Sequence, residues 1–366
     1  MKPAYRADHI GSFLRPAHLL AARAKQPGSD ELRRLEDAAI LEVLRMQRDV
    51  GMPILSDGEL RREAWQTGFS DAVEGFVPAS RTIVWHTADG RTVEEPSFSK
   101  VVGAKLRAKA RITGAESAFL KAHAGGPYKI TMPSPLIVVR QGFLAGTTNA
   151  AYANSDALLA DVLAIMQSEL RALVAEGVAY IQIDEGFTGF LGDAWRERAR
   201  AQGQAPEAVL AQAIATENRL YEAIDSADTI TAAHICRGNS RSRWTQSGSY
   251  DALAEQLFNT LKVDRFLLEY DSERAGDFAA LRFLPKGKIG VLGLISTKSP
   301  VLETESDLLR RIEEAARYAP LERLALSPQC GFASTKDGNE ISPDDQRRKL
   351  ALTVKVAAKV WKSLDR

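Results

Sequence analysis

Short β-prone runs alternating with amphipathic helical stretches predict an α/β chain folded as a (β/α)8 TIM barrel. Two observations carry this expectation. Eight such runs occur in the 366 residues, and helical periodicity fills most of the gaps between them. Nearly every run also ends in residues capable of chemistry, and barrel enzymes gather their active sites at the C-terminal ends of their strands.

The runs are 8–11, 53–56, 128–131, 179–183, 229–233, 266–268, 288–294 and 324–326. They end in His9 to Ser12, Asp57 and Glu59, Ser134, Asp184 and Glu185, His234 and Cys236, Glu269 and Asp271, Ser296 to Ser299, and Gln329 and Cys330. Loops are polar everywhere, so one or two such endings carry no message. A set holding both cysteines and two of the five histidines exceeds that background. Helices are expected at 30–50, 155–176, 206–226, 249–261, 305–318 and 343–361. Asp30 and Ser155 read as N-caps. Ser342-Pro343-Asp344-Asp345 offers a cap, a proline at the first helical position and acids in the first turn.

The connection after the second run is irregular. Residues 60–127 hold no long helical pattern, and Ala88-Asp89-Gly90 between the β-prone stretches 82–86 and 91–93 signals a hairpin. This stretch reads as an insertion on the barrel face, serving as a lid or as a contact in a homo-oligomer. Residues 1–366 read as a single catalytic domain without linker, repeat or low-complexity segment.

Composition narrows the function. Apolar residues are 45% and charged residues 26%, an ordinary globular balance. With 48 basic against 47 acidic residues, nothing favours nucleic acid or an anionic membrane as partner. No apolar stretch approaches the roughly 20 residues of a membrane span, and residues 1–8 lack the apolar core of a signal peptide. Two cysteines 94 positions apart then read as free thiols of a cytoplasmic protein.

Those cysteines set the chemistry. Residues i and i+2 of a strand share a face, so His234 and Cys236 can converge. Glu269 and Cys330 end neighbouring runs, which brings four zinc-type ligands from three barrel positions. Taken singly, each has a plainer reading: a lone cysteine is usually a small buried hydrophobe, and a lone histidine a hydrogen-bonded structural residue. Structural zinc usually shows closer Cys-x2-Cys spacing, so this pattern favours a functional ion. A zinc with two thiolates and one imidazole is nearly neutral and a poor activator of water. It can still hold an incoming thiol as thiolate, which points to alkyl transfer onto sulfur. Glu59 and Asp184-Glu185 could hold a substrate ammonium or act as an acid/base pair. Ile10-Gly11-Ser12 could take a carboxylate through bare backbone N–H groups and the Ser12 hydroxyl.

At this point the chain resembles the catalytic half of cobalamin-independent methionine synthase, and more closely its shorter single-barrel relatives. The matching stretches are His9-Ile10-Gly11-Ser12, Asp57-Gly58-Glu59, Ile181-Gln182-Ile183-Asp184-Glu185, His234-Ile235-Cys236-Arg237-Gly238-Asn239, Glu269-Tyr270-Asp271 and Ser327-Pro328-Gln329-Cys330-Gly331-Phe332. The resemblance implies zinc on His234, Cys236, Glu269 and Cys330, and homocysteine held by Ile10 to Ser12, Glu59 and Asp184. It implies methyl transfer from 5-methyltetrahydrofolate, as a polyglutamate, to the homocysteine thiol.

Three departures fall on the donor side. Lys298 stands where the family has a histidine proton donor. The family's folate-stacking tryptophan has no counterpart near Met132-Pro133-Ser134, and a folate-contacting glutamate falls near Phe190. Trp65, Trp85 and Trp195 are the remaining aromatic candidates in the loops. An alternative therefore keeps the zinc thiolate chemistry with another alkyl donor or thiol acceptor. More distant alternatives are a metal-free lyase or hydrolase using Asp184, Glu59 and Asp271, and a barrel that senses zinc or a thiol.

Overall fold

The computed structural model describes residues 2–184 and 186–364; of Ser97 and Phe98 only the backbone is described. Six parallel strands form one sheet in sequence order: β3 Lys129–Pro133, β4 Tyr180–Asp184, β5 Ile230–Ile235, β6 Arg265–Glu269, β7 Ile289–Ile295 and β8 Leu324–Pro328. Apart from the half-buried first residue of β7, all are buried along their length, as strands covered on both faces must be.

The first two expected strands are corrected. Residues 8–11 and 53–56 form no ladder strands among the described residues. Each flanks a single parallel bridge at one edge of the sheet, Ala7 to Leu326 and Leu55 to Tyr128. Pro53 has no N–H to give a ladder, and Gly11 leaves extended geometry at φ +128°. The two segments still occupy the first and second barrel positions. The Asp8 N–H donates to the Leu326 carbonyl (2.9 Å) on one side, and the Lys129 N–H to the Leu55 carbonyl (2.8 Å) on the other. Side chains link them to each other: Ser56 Oγ donates to Gly11 O (2.7 Å), and His9 Nε2 lies 3.1 Å from Ile54 O.

The helices are α1 Ala17–Lys25, α2 Asp30–Asp49, α3 Thr67–Ala72, α4 Gly114–His123, α5 Pro135–Gly142, α6 Ser155–Ala175, α7 Ala194–Ala201, α8 Pro206–Tyr221, α9 Asp251–Thr260, α10 Glu305–Ala315 and α11 Pro343–Trp361. All six expected helices are present. The caps of two lie one residue earlier than expected, on Ser29 and Asn154, whose side chains accept from the N–H groups of Leu32 and Ala157. α11 starts as expected, with Ser342 as cap and Pro343 in the first turn, and Ser342 and Asp345 also form a capping box, satisfying each other's N–H groups.

The insertion holds a hairpin far longer than the signal at its tip. Strands β1 Val73–His86 and β2 Thr92–Ala108 pair antiparallel from Val73↔Ala108 to His86↔Thr92. Most of the pair is exposed and carries mixed polar residues, which hides its length from an apolar pattern. Its tip lies on the loop after β5: His86 and Trp244 exchange backbone hydrogen bonds at 2.8 and 3.2 Å, and Arg243 grips Glu95 at 2.7 and 2.8 Å.

Apolar packing falls into two layers. Ile10, Ile54, Ile230, Ala232, Leu267, Val291 and Ala325 fill the barrel axis, and a larger cluster lies between sheet and helices. Polar residues alternate into the axis as well. Asp8 is fully buried there and accepts from Lys129 Nζ (2.5 Å), Tyr180 OH (2.9 Å) and Arg265 Nη1 (2.9 Å).

Candidate functional site

Residues at the ends of β5 and β6 and just beyond β8 meet at one point. His234, Cys236, Glu269 and Cys330 are all buried, and each offers a ligand atom lying within 4.8 Å of the others. Parallel register explains the convergence: His234 pairs with Leu267, placing Glu269 one step beyond the ladder partner of Ile235. The two sulfurs are 3.4 Å apart and are not joined in a disulfide.

His234 and Glu269 are each held by the atom that is not aimed into the cluster, and Cys236 is held at its sulfur. His234 Nδ1 lies 3.2 Å from Leu267 O, which makes Nδ1 the protonated nitrogen and aims the Nε2 lone pair into the cluster. Glu269 Oε1 accepts from the Arg237 N–H at 2.8 Å. The Gly238 N–H donates to Cys236 Sγ at 3.2 Å. His234 Nε2 and Glu269 Oε2 are both buried without a hydrogen-bond partner. Two orphaned polar atoms beside two sulfurs fit a zinc ion.

Electrostatics agrees with that fit. Its hydrogen bond with Cys236, and His234 beside it, hold the Cys330 thiol well below the usual thiol range against the effect of burial. Burial lowers the His234 pKa, but Cys330, Asp184 and Glu269 outweigh it and push the imidazole up to about 9. Burial, with Cys330 adding, raises Glu269 to about 7.

The expected substrate groups surround this cluster. Glu59 is buried at a positive φ of 57° and takes a 2.7 Å bond from Thr131 Oγ1, leaving Oε2 without a partner. Asp184 ends β4 opposite His234 and accepts from Gln182 Nε2 at 2.8 Å. Burial raises both carboxyls, Asp184 to about 8, and Glu59 adds to the rise of Asp184. The sharing of one field by two carboxyls favours a cation between them. Glu185 lies outside the described residues.

Ile10, Gly11 and Ser12 run beside them. Ile10 and Gly11 are tied by their carbonyls to Gln182 Nε2 and Ser56 Oγ, both at 2.7 Å. A Cβ on Gly11 would stand 2.8 Å from Thr131 Cγ2 and 3.3 Å from Glu59 Oε1, so only glycine lets this backbone approach. A Cβ on Gly331 would lie on the Ser12 hydroxyl, which places that hydroxyl one residue from Cys330.

Lys298 is engaged on three sides. Its Nζ donates to Asn239 Oδ1 (2.6 Å), Gly238 O (2.9 Å) and Arg243 O (3.2 Å). It thus ties the loop carrying the Gly238–Cys236 bond to the end of β7. Phe190 packs against Phe187 and Trp195, and Ser134 caps α5 while donating to Glu217.

Sequence reading missed supporting residues. Gln182 bridges Asp184 and Lys129, Thr131 orients Glu59, and Arg237 anchors Glu269 by its N–H. A signal existed. Lys129 and Thr131, and Tyr180, Gln182 and Asp184, are polar residues at every second place of fully buried strands, so they point into the barrel.

Comparison with known proteins places this barrel, with its candidate metal cluster of two thiols and its convergent carboxyls, among the methyltransferases. A family model for the cobalamin-independent synthase catalytic domain matches residues 7–359, and the chain belongs to that family. An uncharacterised Bacillus subtilis protein, YxjH, is 36% identical, the match covering 99% of this chain and 96% of that one. A methionine synthase of Pyrococcus abyssi is 25% identical over 88% of this chain and 85% of its own. Among solved structures, a candidate vitamin-B12-independent methionine synthase from Listeria monocytogenes superposes with a TM-score of 0.73 at 26% identity, covering 99% of both chains. A B12-independent methionine synthase from Shewanella shares the fold, with a TM-score of 0.72 at 20% identity and 98% coverage of both chains.

Proposed function

We propose that the protein transfers the methyl group of 5-methyltetrahydrofolate, as a polyglutamate, to the thiol of homocysteine, giving methionine. The observation that carries the reading is the set of four buried ligand atoms within 4.8 Å, two of them unpartnered. His234, Cys236, Glu269 and Cys330 would hold zinc, which in such a ligand set keeps a bound thiol in its thiolate form near neutral pH. Glu59 and Asp184 take the substrate ammonium, with Glu185 assigned to the same group. Backbone N–H groups of Ile10 to Ser12 and the Ser12 hydroxyl take its carboxylate. An amino acid pinned at both ends points its side-chain sulfur at the cluster, the positioning that a displacement needs.

The balance is simple. The thiol proton leaves, sulfur bonds to the methyl carbon, the carbon–nitrogen bond breaks with its pair to nitrogen, and that nitrogen takes up a proton. Lys298 is assigned as the proton source and must release one of its three acceptors to act. Cysteines without a disulfide at this centre fit a reducing cytoplasm. The support from comparison is family membership and the methionine synthases of Pyrococcus abyssi and Shewanella.

Purified protein should hold about one zinc per chain, and the Cys236→Ser, Cys330→Ser double variant should hold almost none. Full zinc retention by that variant, read by atomic absorption, sinks the site.

One observation favours a second reading, in which zinc and thiol acceptor stay but the donor differs. The donor side has Lys298 engaged on three sides and Phe190 packed among aromatics. A panel of methyl donors with homocysteine separates the two. Methionine formed from mono- or polyglutamylated methyltetrahydrofolate supports the first; methionine from another donor alone supports the second.

A further inference from the structure

Four of the five tryptophan rings are engaged. Trp85 lies 5.2 Å from the Arg243 guanidinium, and Trp195 packs edge-on to Phe190 at 5.1 Å. Trp244 carries Arg274 at 4.4 Å, and Trp361 donates its indole N–H to Leu321 O at 2.9 Å. Trp65 differs. It is partly exposed, and among the described residues its ring meets no aromatic or cationic partner and its indole N–H no acceptor.

A lone tryptophan on a surface means little, so its place decides. Residues 63–65 pair antiparallel with 334–336 around the bridge Ala64↔Thr335. The Trp65 N–H donates to Ser334 O (2.9 Å), and the Lys336 N–H to Glu63 O (2.7 Å). This pattern sets Trp65 directly opposite Ser334, and opposite residues of an antiparallel pair project to the same face. The Ser334 hydroxyl lies 3.7 Å from Cys330 Sγ and accepts from Asn239 Nδ2 at 3.0 Å. The indole therefore projects on the face that carries a metal-ligand sulfur. Its backbone also follows Glu59 by six residues, so one short segment serves both the acceptor site and this face.

Displacement chemistry says what lies there. The methyl carbon must sit between the thiol sulfur and the leaving atom, so the leaving group lies on the open side of the site. Nitrogen leaves more readily when its charge spreads into a conjugated ring system, and the flat face of such a system stacks on an indole. We propose that Trp65 is the stacking platform for the conjugated heterocycle of the methyl donor, and so a specificity-determining residue. This rests on the folate-donor reading.

Calorimetry on the purified zinc protein tests it, with 5-methyltetrahydrofolate and its triglutamate titrated into wild type, Trp65→Phe and Trp65→Ala. Trp65→Ala should weaken folate binding on the order of ten-fold or more, the scale of one lost base–aromatic stack. Trp65→Phe should recover most of it. Zinc content and homocysteine affinity should stay at wild-type values in both variants. Equal folate affinity in all three proteins overturns the role of Trp65 and leaves the donor reading standing. Loss of zinc or of homocysteine affinity along with folate marks a structural residue and also overturns it. No folate binding by wild type removes this inference and the folate donor together.

Discussion

Glu217 shows how far a single residue can couple this barrel to pH. It sits on α8, 1% exposed, with the Ser134 hydroxyl donating to it. Burial, opposed only partly by that hydrogen bond, raises its carboxyl to about 7. A raised carboxyl pKa means that the folded state prefers the neutral acid. The stability this contributes is complete below the unfolded value near 4.3 and lost as pH rises through about 7. The ceiling is about 3 kcal/mol from the shift. Glu217→Gln keeps an acceptor for Ser134 without a charge to bury. Its Tm should match wild type near pH 4 and exceed it increasingly up to pH 8; a constant difference across that range contradicts this account. The ligand residues were legible at this scale because chemistry and strand spacing agree on His234, Cys236, Glu269 and Cys330. Their supports were not. Arg237 acts on Glu269 through its backbone N–H, and any residue at that place presents the same group.

At the scale of elements, helix caps show both what a sequence declares and where it is ambiguous. Ser29-Asp30 and Asn154-Ser155 each offer two adjacent cap-forming residues. The first of each pair takes the cap, which moves Asp30 into the first turn of α2, where its charge meets the positive end of the helix. Ser342 had no such rival, since Pro343 settles the first helical position. Ser342→Ala removes the acceptor for the Asp345 N–H and should lower stability by about 1 kcal/mol in denaturant unfolding. An unchanged midpoint would show that Asp345 caps the helix unaided. The hairpin was legible only at Asp89-Gly90. Its length is set by docking, since β2 reaches Tyr152, whose OH accepts from the Leu106 N–H at 2.8 Å, and the tip reaches Trp244. Contacts across the fold leave no period in the local sequence.

At the scale of the molecule, the α/β class and the strand order follow from alternation alone, because each parallel strand needs its crossover helix. Alternation says nothing of how evenly the wall is built. Five of its junctions are backbone ladders, and two more are single bridges at the sheet's edges. Between the segments around Ile10 and Ile54 no ladder forms; Ser56 to Gly11 O, His9 to Ile54 O and one backbone bond, the Phe13 N–H to Gly58 O, join them. These contacts sit beside Ile10 to Ser12 on one bank and Glu59 on the other. In the proposed function, an amino acid gripped by its carboxylate on the first bank and its ammonium on the second would span the seam. On the proposed function, seating the acceptor and completing the hoop would be one event, the thiol arriving in a wall that its own backbone helps to close.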